Sequence, residues 1–216
     1  MKIEKISRGL YQIIGDSAKE LGMAFLRIQE YYESVKFKGK IFSVDEFKEW
    51  WVKKSSLGKN AGRFSYCRYF DGFNIPSKAL KPFYEGKFNP LTKWEEMLLT
   101  QLEKIREKKF YIIGTRKKAD TSILKHEIAH SFFSKFPEYR VKVRRALNKL
   151  DSKSKKKLDK YLKEIDYHPS VFEDERHAYL LAGHRELKTE AKISIDKIQP
   201  VSMALNKIYS STLKMI

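Results

Sequence analysis

Residues 123–133 read ILKHEIAHSFF, and no other stretch limits the fold so tightly. A start at Asp120 or Thr121 and a stop at Pro137 predict a single helix. On it, His126 and His130 lie four residues apart and share a face, so both imidazoles can reach one metal ion. Glu127 is turned by about 100° from His126, near such an ion without pointing at it. A general base for a metal-bound water belongs there. Leu124, Ile128 and Phe132 form an apolar stripe away from the histidines, and Ala129 and Ser131 are uncharged, which places the helix inside the protein. Buried histidines and a buried glutamate need a metal or hydrogen-bond partners. A pair of core histidines bonded to backbone carbonyls is the plainer alternative. A catalytic zinc site takes three protein ligands and leaves a fourth position open, so a second element must supply the third.

That element is sought in SVFEDERHAYLLAG, residues 170–183, which reads as a helix ending at Gly183. At 100° per residue, Val171, Phe172, Ala178, Tyr179 and Ala182 gather on one side, with Glu175 in their middle. An acid centred on an apolar face needs a reason, and metal coordination supplies one. Glu173 points the opposite way and has capping-box spacing from Ser170. Asp174 falls at the rim, where it could orient a ligand histidine through its second nitrogen. Arg176 and His177 read as less inward. Glu175 is therefore the expected third ligand. For stabilising an oxyanion, Tyr179, one turn beyond Glu175, and Tyr167, just before the helix, stand as equal candidates.

The remaining segments predict a mainly helical α+β protein. LYQII (10–14) reads as a strand ended by Gly15, with Asp16 or Ser17 capping the following helix AKELGMAFLRIQEYYES. SVDEFKEWWVKK reads as a helix whose Ser43 and Glu46 have capping-box spacing. SSLGKNAG reads as a polar loop, FSYCRYF as a strand and GFNIP as a turn. A helix over 91–109 leads into FYIIG (110–114), the clearest strand. Charged helices follow near 138–149 and 152–165.

His126-Glu127-Ile-Ala-His130 with Glu175 on a downstream helix resembles the zincin metallopeptidases in their gluzincin arrangement. The resemblance implies a small twisted sheet packed on the active-site helix, followed by a helical part that brings the glutamate. It makes His126, His130 and Glu175 ligands of Zn2+ and Glu127 the general base. It further implies one zincin-like domain over 1–216. Within it, 1–109 flanks the cleft, and 110–190 carries the strand, the active-site helix and the third-ligand helix. Four residues after Glu175 the larger gluzincins have an aspartate, and this chain has Tyr179. A metzincin would place a glycine and a third histidine where Phe133 and Phe136 stand, which excludes that class. Peptide deformylases take a cysteine as third ligand, and Cys67 lies outside the glycine-cysteine-leucine context they use. FLRIQEYYES, GFNIP, LKHEIAH and DERHAYL also resemble a set of small uncharacterised phage and archaeal proteins.

Charge brings in the competing expectation. A formal net charge of +18 favours an acidic partner, and RFSYCRYF interleaves basic and aromatic residues as single-strand binders do. The alternative function is thus a basic nucleic-acid-associated protein whose metal site is structural or vestigial, although no nucleic-acid recognition motif is present. Cys67 is the only cysteine, so no intrachain disulfide can form, which suits a reducing compartment. No segment approaches the roughly 20 apolar residues that span a bilayer, nor does the N-terminus carry the unbroken apolar run of a signal peptide. The expected setting is cytoplasmic, with a peptide or protein as substrate.

Overall fold

The computed structural model describes all residues from Met1 to Ile216 and divides into two compact units, Met1–Asp120 and Thr121–Ile216. The protein is α+β and mainly helical, with one four-stranded mixed sheet. No helix is long and apolar enough to cross a membrane.

In the first unit, β1 (Lys2–Ser7) and β2 (Leu10–Gly15) form an antiparallel hairpin turned at Gly9, whose φ of 66° suits a residue without Cβ. β2 runs parallel to β4 (Tyr111–Arg116), and β3 (Gly72–Pro76) closes the far edge antiparallel to β4, giving the order β1-β2-β4-β3. The central strands are nearly all buried, as their apolar runs require, while β1 is mostly exposed and carries Lys2, Glu4 and Lys5 on an edge. Helix α1 (Ala18–Glu33) packs on this sheet against β2, β3 and β4. It comes so close at Gly114 that a Cβ there would meet the Phe25 ring at 2.8 Å.

Two short segments exchange the roles that the sequence suggests. FSYCRYF forms a helical turn, α4 (Tyr66–Tyr69), and GFNIP forms the strand β3. Tyr66 goes inside because its ring packs edge-on against Phe47 and Trp51, 5.3 and 5.2 Å between centroids. Pro76 ends an edge strand, the place where a sheet tolerates a missing N–H. SSLGKNAG is also ordered: Ser55 caps α3 (Ser56–Ala61), which lies against α2 (Val44–Lys53). Only glycine fits at 58, since a Cβ would come within 1.9 Å of the Trp51 carbonyl oxygen. Helix α6 spans Lys93–Leu102 and stops short of the charged run 103–109. The capping boxes at Ser43/Glu46 and Thr92/Glu95 are both formed.

Glu95 does more than cap. Its carboxylate accepts from the Thr92 N–H at 2.8 Å and from Arg27 at 2.7 Å and 2.5 Å, with both side chains buried. Arg27 also donates to the Pro90 carbonyl and lies over the Phe88 ring, so every charge in this pair is matched. Removing one partner strands the other in the core. Arg27→Met is expected to destabilise the protein by about 3–5 kcal/mol, and adding Glu95→Gln should return part of that loss. Urea unfolding of the three proteins checks this; a loss below about 1 kcal/mol for Arg27→Met would place the pair among exposed, weak ones.

The second unit is helical: α7 (Thr121–Lys135), α8 (Pro137–Leu147), α9 (Ser152–Glu164), a 3₁₀ turn at Pro169–Val171, α10 (Phe172–Ala182), α11 (His184–Thr189) and α12 (Ile195–Leu213). Pro137 ends α7 and starts α8 from the first-turn position, where its missing N–H has no partner to lose. Helix α10 is the axis of this unit, in contact with α7, α8, α9, α11 and α12.

Candidate metal centre

Helices α7 and α10 pack along each other and bring together the residues that the sequence picks out as ligands. The donor atoms of His126, His130 and Glu175 all lie within 4.8 Å of one another. Glu175 faces both rings, its Oε2 at 3.8 Å from His126 Nε2 and its Oε1 at 3.7 Å from His130 Nε2. These separations are too long for hydrogen bonds and suit three donors around a shared cation. Glu175 Oε2 is buried with no hydrogen-bond partner, an arrangement that is unfavourable unless something positive sits against it. The donor set of two imidazoles and one carboxylate is one that first-row metals such as zinc or iron(II) accept.

The two histidines differ in environment. His126 keeps a side-chain exposure of 16%, against 2% for His130, and so forms the open edge of the group. Burial and the neighbouring His130 push the His126 imidazole down to about 4, leaving it neutral at ordinary pH and ready to donate a lone pair. For His130 burial acts in the same direction, but Asp174 and Glu175 outweigh it and raise the ring well above its usual value. Burial raises Glu175 in turn, against the pull of His130.

Glu127 is buried on α7, and its charge acts on both ligand histidines. Tyr179 sets its ring edge-on to His126 at 4.9 Å and edge-on to Tyr161 at 5.6 Å. Burial, with Tyr161 and Glu175 nearby, pushes its phenol well above the usual value, so it stays a neutral donor. Tyr167 is half-buried on the turn after α9, outside α10.

Helix α10 departs from its expected face pattern. The fully buried positions are Glu175, His177, Ala178, Leu180 and Leu181, while Val171, Phe172, Tyr179 and Ala182 are half-buried. His177, read as less inward, is completely enclosed. A single apolar stripe describes a helix lying on a core, and α10 is instead surrounded by five others, so more than one face goes inside. Nor does a capping box form between Ser170 and Glu173. Val171 occupies the cap without a side-chain bond, and Glu173 binds Arg144 through paired contacts of 2.9 to 3.0 Å.

Asp174 takes the orienting place at the rim, with Oδ1 at 2.9 Å from His130 Nδ1. The approach is off-line, so the contact is electrostatic before it is a hydrogen bond. His177 and Tyr139 extend this group, with 2.7 Å between the Tyr139 hydroxyl and His177 Nε2. Neither was singled out from the sequence. The available signal was the spacing of His177, three residues after Asp174 and hence on the same side of the helix.

The chain matches no protein-family model, no curated protein and no solved structure.

Two measurements test this geometry. Glu175→Ala should weaken zinc binding far more than Glu173→Ala in chelator competition, and equal losses would remove Glu175 from the ligand set. Zinc uptake should also release a proton near neutral pH. His130 is raised above 6.5, so the metal-free ring still holds its proton there, and coordination needs Nε2 bare. Affinity should therefore climb as pH rises. Uptake without proton release in weakly buffered solution would mean that His130 was already neutral.

Proposed function

We propose that this chain is a zinc-dependent peptidase of the gluzincin-like type, acting on a peptide or protein substrate. The observation that carries the reading is the buried Glu175 carboxylate, whose two oxygens each face a histidine Nε2 and whose Oε2 has no hydrogen-bond partner, with Glu127 next to His126 in the chain. A zinc ion, when bound, polarises a carbonyl and makes water acidic enough to be deprotonated near neutral pH. The protein's own residues then divide the work. His126 at the more exposed edge, His130 within and Glu175 from α10 would hold the cation as its three protein ligands. Glu127 accepts the proton of the attacking water and returns it to the leaving amine, so it needs proximity to the ion without ligation. Tyr179 takes the oxyanion role ahead of Tyr167, because its ring lies against His126 and its phenol stays protonated. The single cysteine fits a reducing, cytoplasmic setting.

The nucleic-acid reading loses part of its footing in RFSYCRYF, where Tyr66 is fully buried among core rings and cannot serve as a stacking platform.

Elemental analysis of the purified chain should give close to one zinc per molecule, and Glu127→Ala should keep that zinc while hydrolysis of a broad peptide mixture disappears. A Glu127→Ala protein that loses its zinc would make Glu127 a ligand. One that keeps cleaving would leave the base elsewhere.

A further inference from the structure

Four buried polar atoms of the second unit lack an aligned hydrogen-bond partner, and all four meet around one helix turn: His130 Nδ1, Asp174 Oδ1, Glu175 Oε2 and His177 Nδ1. Glu175 Oε2 belongs to the ligand group. The other three form a second layer behind it. Asp174 Oδ1 sits between two ring nitrogens, 2.9 Å from His130 Nδ1 and 3.5 Å from His177 Nδ1. On the far side of His177, Nε2 lies 2.7 Å from the Tyr139 hydroxyl. Aromatic walls fix the ring between them: Phe133 stacks on His177 at 5.5 Å, and Tyr139 meets it edge-on at 5.4 Å.

We propose that Tyr139, His177 and Asp174 form a buried positioning relay that holds the His130 ring with Nδ1–H toward Asp174, so that its Nε2 faces Glu175 and His126. The inference rests on the metal reading of that site. The proton order follows from the chemistry of each group. Asp174 Oδ1 faces ring nitrogens at 2.9 Å and 3.5 Å, and a carboxylate in that place only accepts. Both facing Nδ1 atoms must then carry hydrogen. His177 is fully enclosed, and an imidazole with hydrogen on Nδ1 alone has a bare Nε2 to offer the Tyr139 hydroxyl at 2.7 Å. Burial keeps the Tyr139 phenol protonated, and its O–H donates to that nitrogen. One carboxylate thereby sets the tautomer of two histidines, and the tyrosine locks the outer one. A cluster serving packing alone would be better replaced by apolar side chains, since buried charge carries a desolvation cost that apolar groups avoid. Its partial satisfaction makes sense where ring orientation toward a cation matters.

The test compares zinc dissociation constants of the full chain by chelator competition, with Glu173→Gln as an exposed control on the same helix. Asp174→Asn is expected to weaken zinc binding by about 10–100-fold. Tyr139→Phe, which removes one oxygen, should shift it in the same direction by less, and Glu173→Gln should leave it unchanged. Nitrogen-15 NMR of histidine-labelled protein should show His177 as the Nδ1–H tautomer with and without zinc. Should Asp174→Asn fail to fold, the Tyr139→Phe constant and the His177 tautomer decide alone. A wild-type chain that takes up no zinc overturns the metal reading, and this proposal with it. A chain that binds zinc with a constant indifferent to Asp174→Asn and Tyr139→Phe overturns the proposal by itself, even if the metal-free melting temperature drops. A His177 with hydrogen on Nε2 does so too.

Discussion

Two adjacent carboxylates, Asp174 and Glu175, enter the helical unit on α10, and its packing has to accommodate them. A buried carboxylate is unfavourable by several kcal/mol unless paired or hydrogen-bonded, so the helix laid against α10 cannot be purely apolar. α7 answers with two histidines one turn apart, each opposite an oxygen of Glu175. The outcome is asymmetric. His130 is enclosed and drawn toward the charged form by Asp174 and Glu175, while His126, nearer solvent, is driven toward the neutral form. Identical side chains on one helix face thus acquire different proton affinities, because burial and His130 lower the His126 ring while Asp174 and Glu175 outweigh burial at His130.

The other unit handles buried charge differently, and the contrast is instructive. Arg27 and Glu95 are as deeply placed as His130 and Glu175, yet their charges meet at hydrogen-bonding distance and the spare donors and acceptors go to backbone atoms. Such a closed pair is finished as it stands. Around Glu175 the facing ring nitrogens stay beyond 3.5 Å, and polar atoms remain without aligned partners. A well-formed protein does this rarely, and mostly where something else completes the set. The difference between these two buried groups, more than the presence of histidines, marks one of them as the candidate site.

Much of this was legible in the chain because helical periodicity converts spacing into direction. His126 and His130 at four residues, and Glu175 within an apolar run, needed only 100° per residue to be placed on facing surfaces. Capping boxes at Ser43/Glu46 and Ser170/Glu173 have the same pattern, yet only the first forms. The second was lost to a tertiary partner, because Arg144 on α8 reaches Glu173 and the chain enters α10 through a 3₁₀ turn. β1 went unread because an exposed edge strand has no apolar alternation to display. α4 and β3 exchanged roles for a similar reason: segments of four or five residues carry too little period, and ring packing around Tyr66 and pairing with β4 decide between them. His177 was misplaced because enclosure by five helices is a property of the assembled unit that no single helix encodes.

A net charge of +18 stands in conflict with the proposal of a cation at the candidate site. Distance resolves the conflict. At physiological ionic strength the screening length is about 8 Å, so lysines spread over the surface act weakly on a buried point. The carboxylates of Asp174 and Glu175 face the ligand rings across less than 4 Å, in surroundings that water screens poorly. Glu127 adds a third negative group on the same helix as the histidines. Local geometry therefore sets the sign of the potential at the ligands. The surface charge acts over the solvent-facing side of the protein, where it would draw acidic groups.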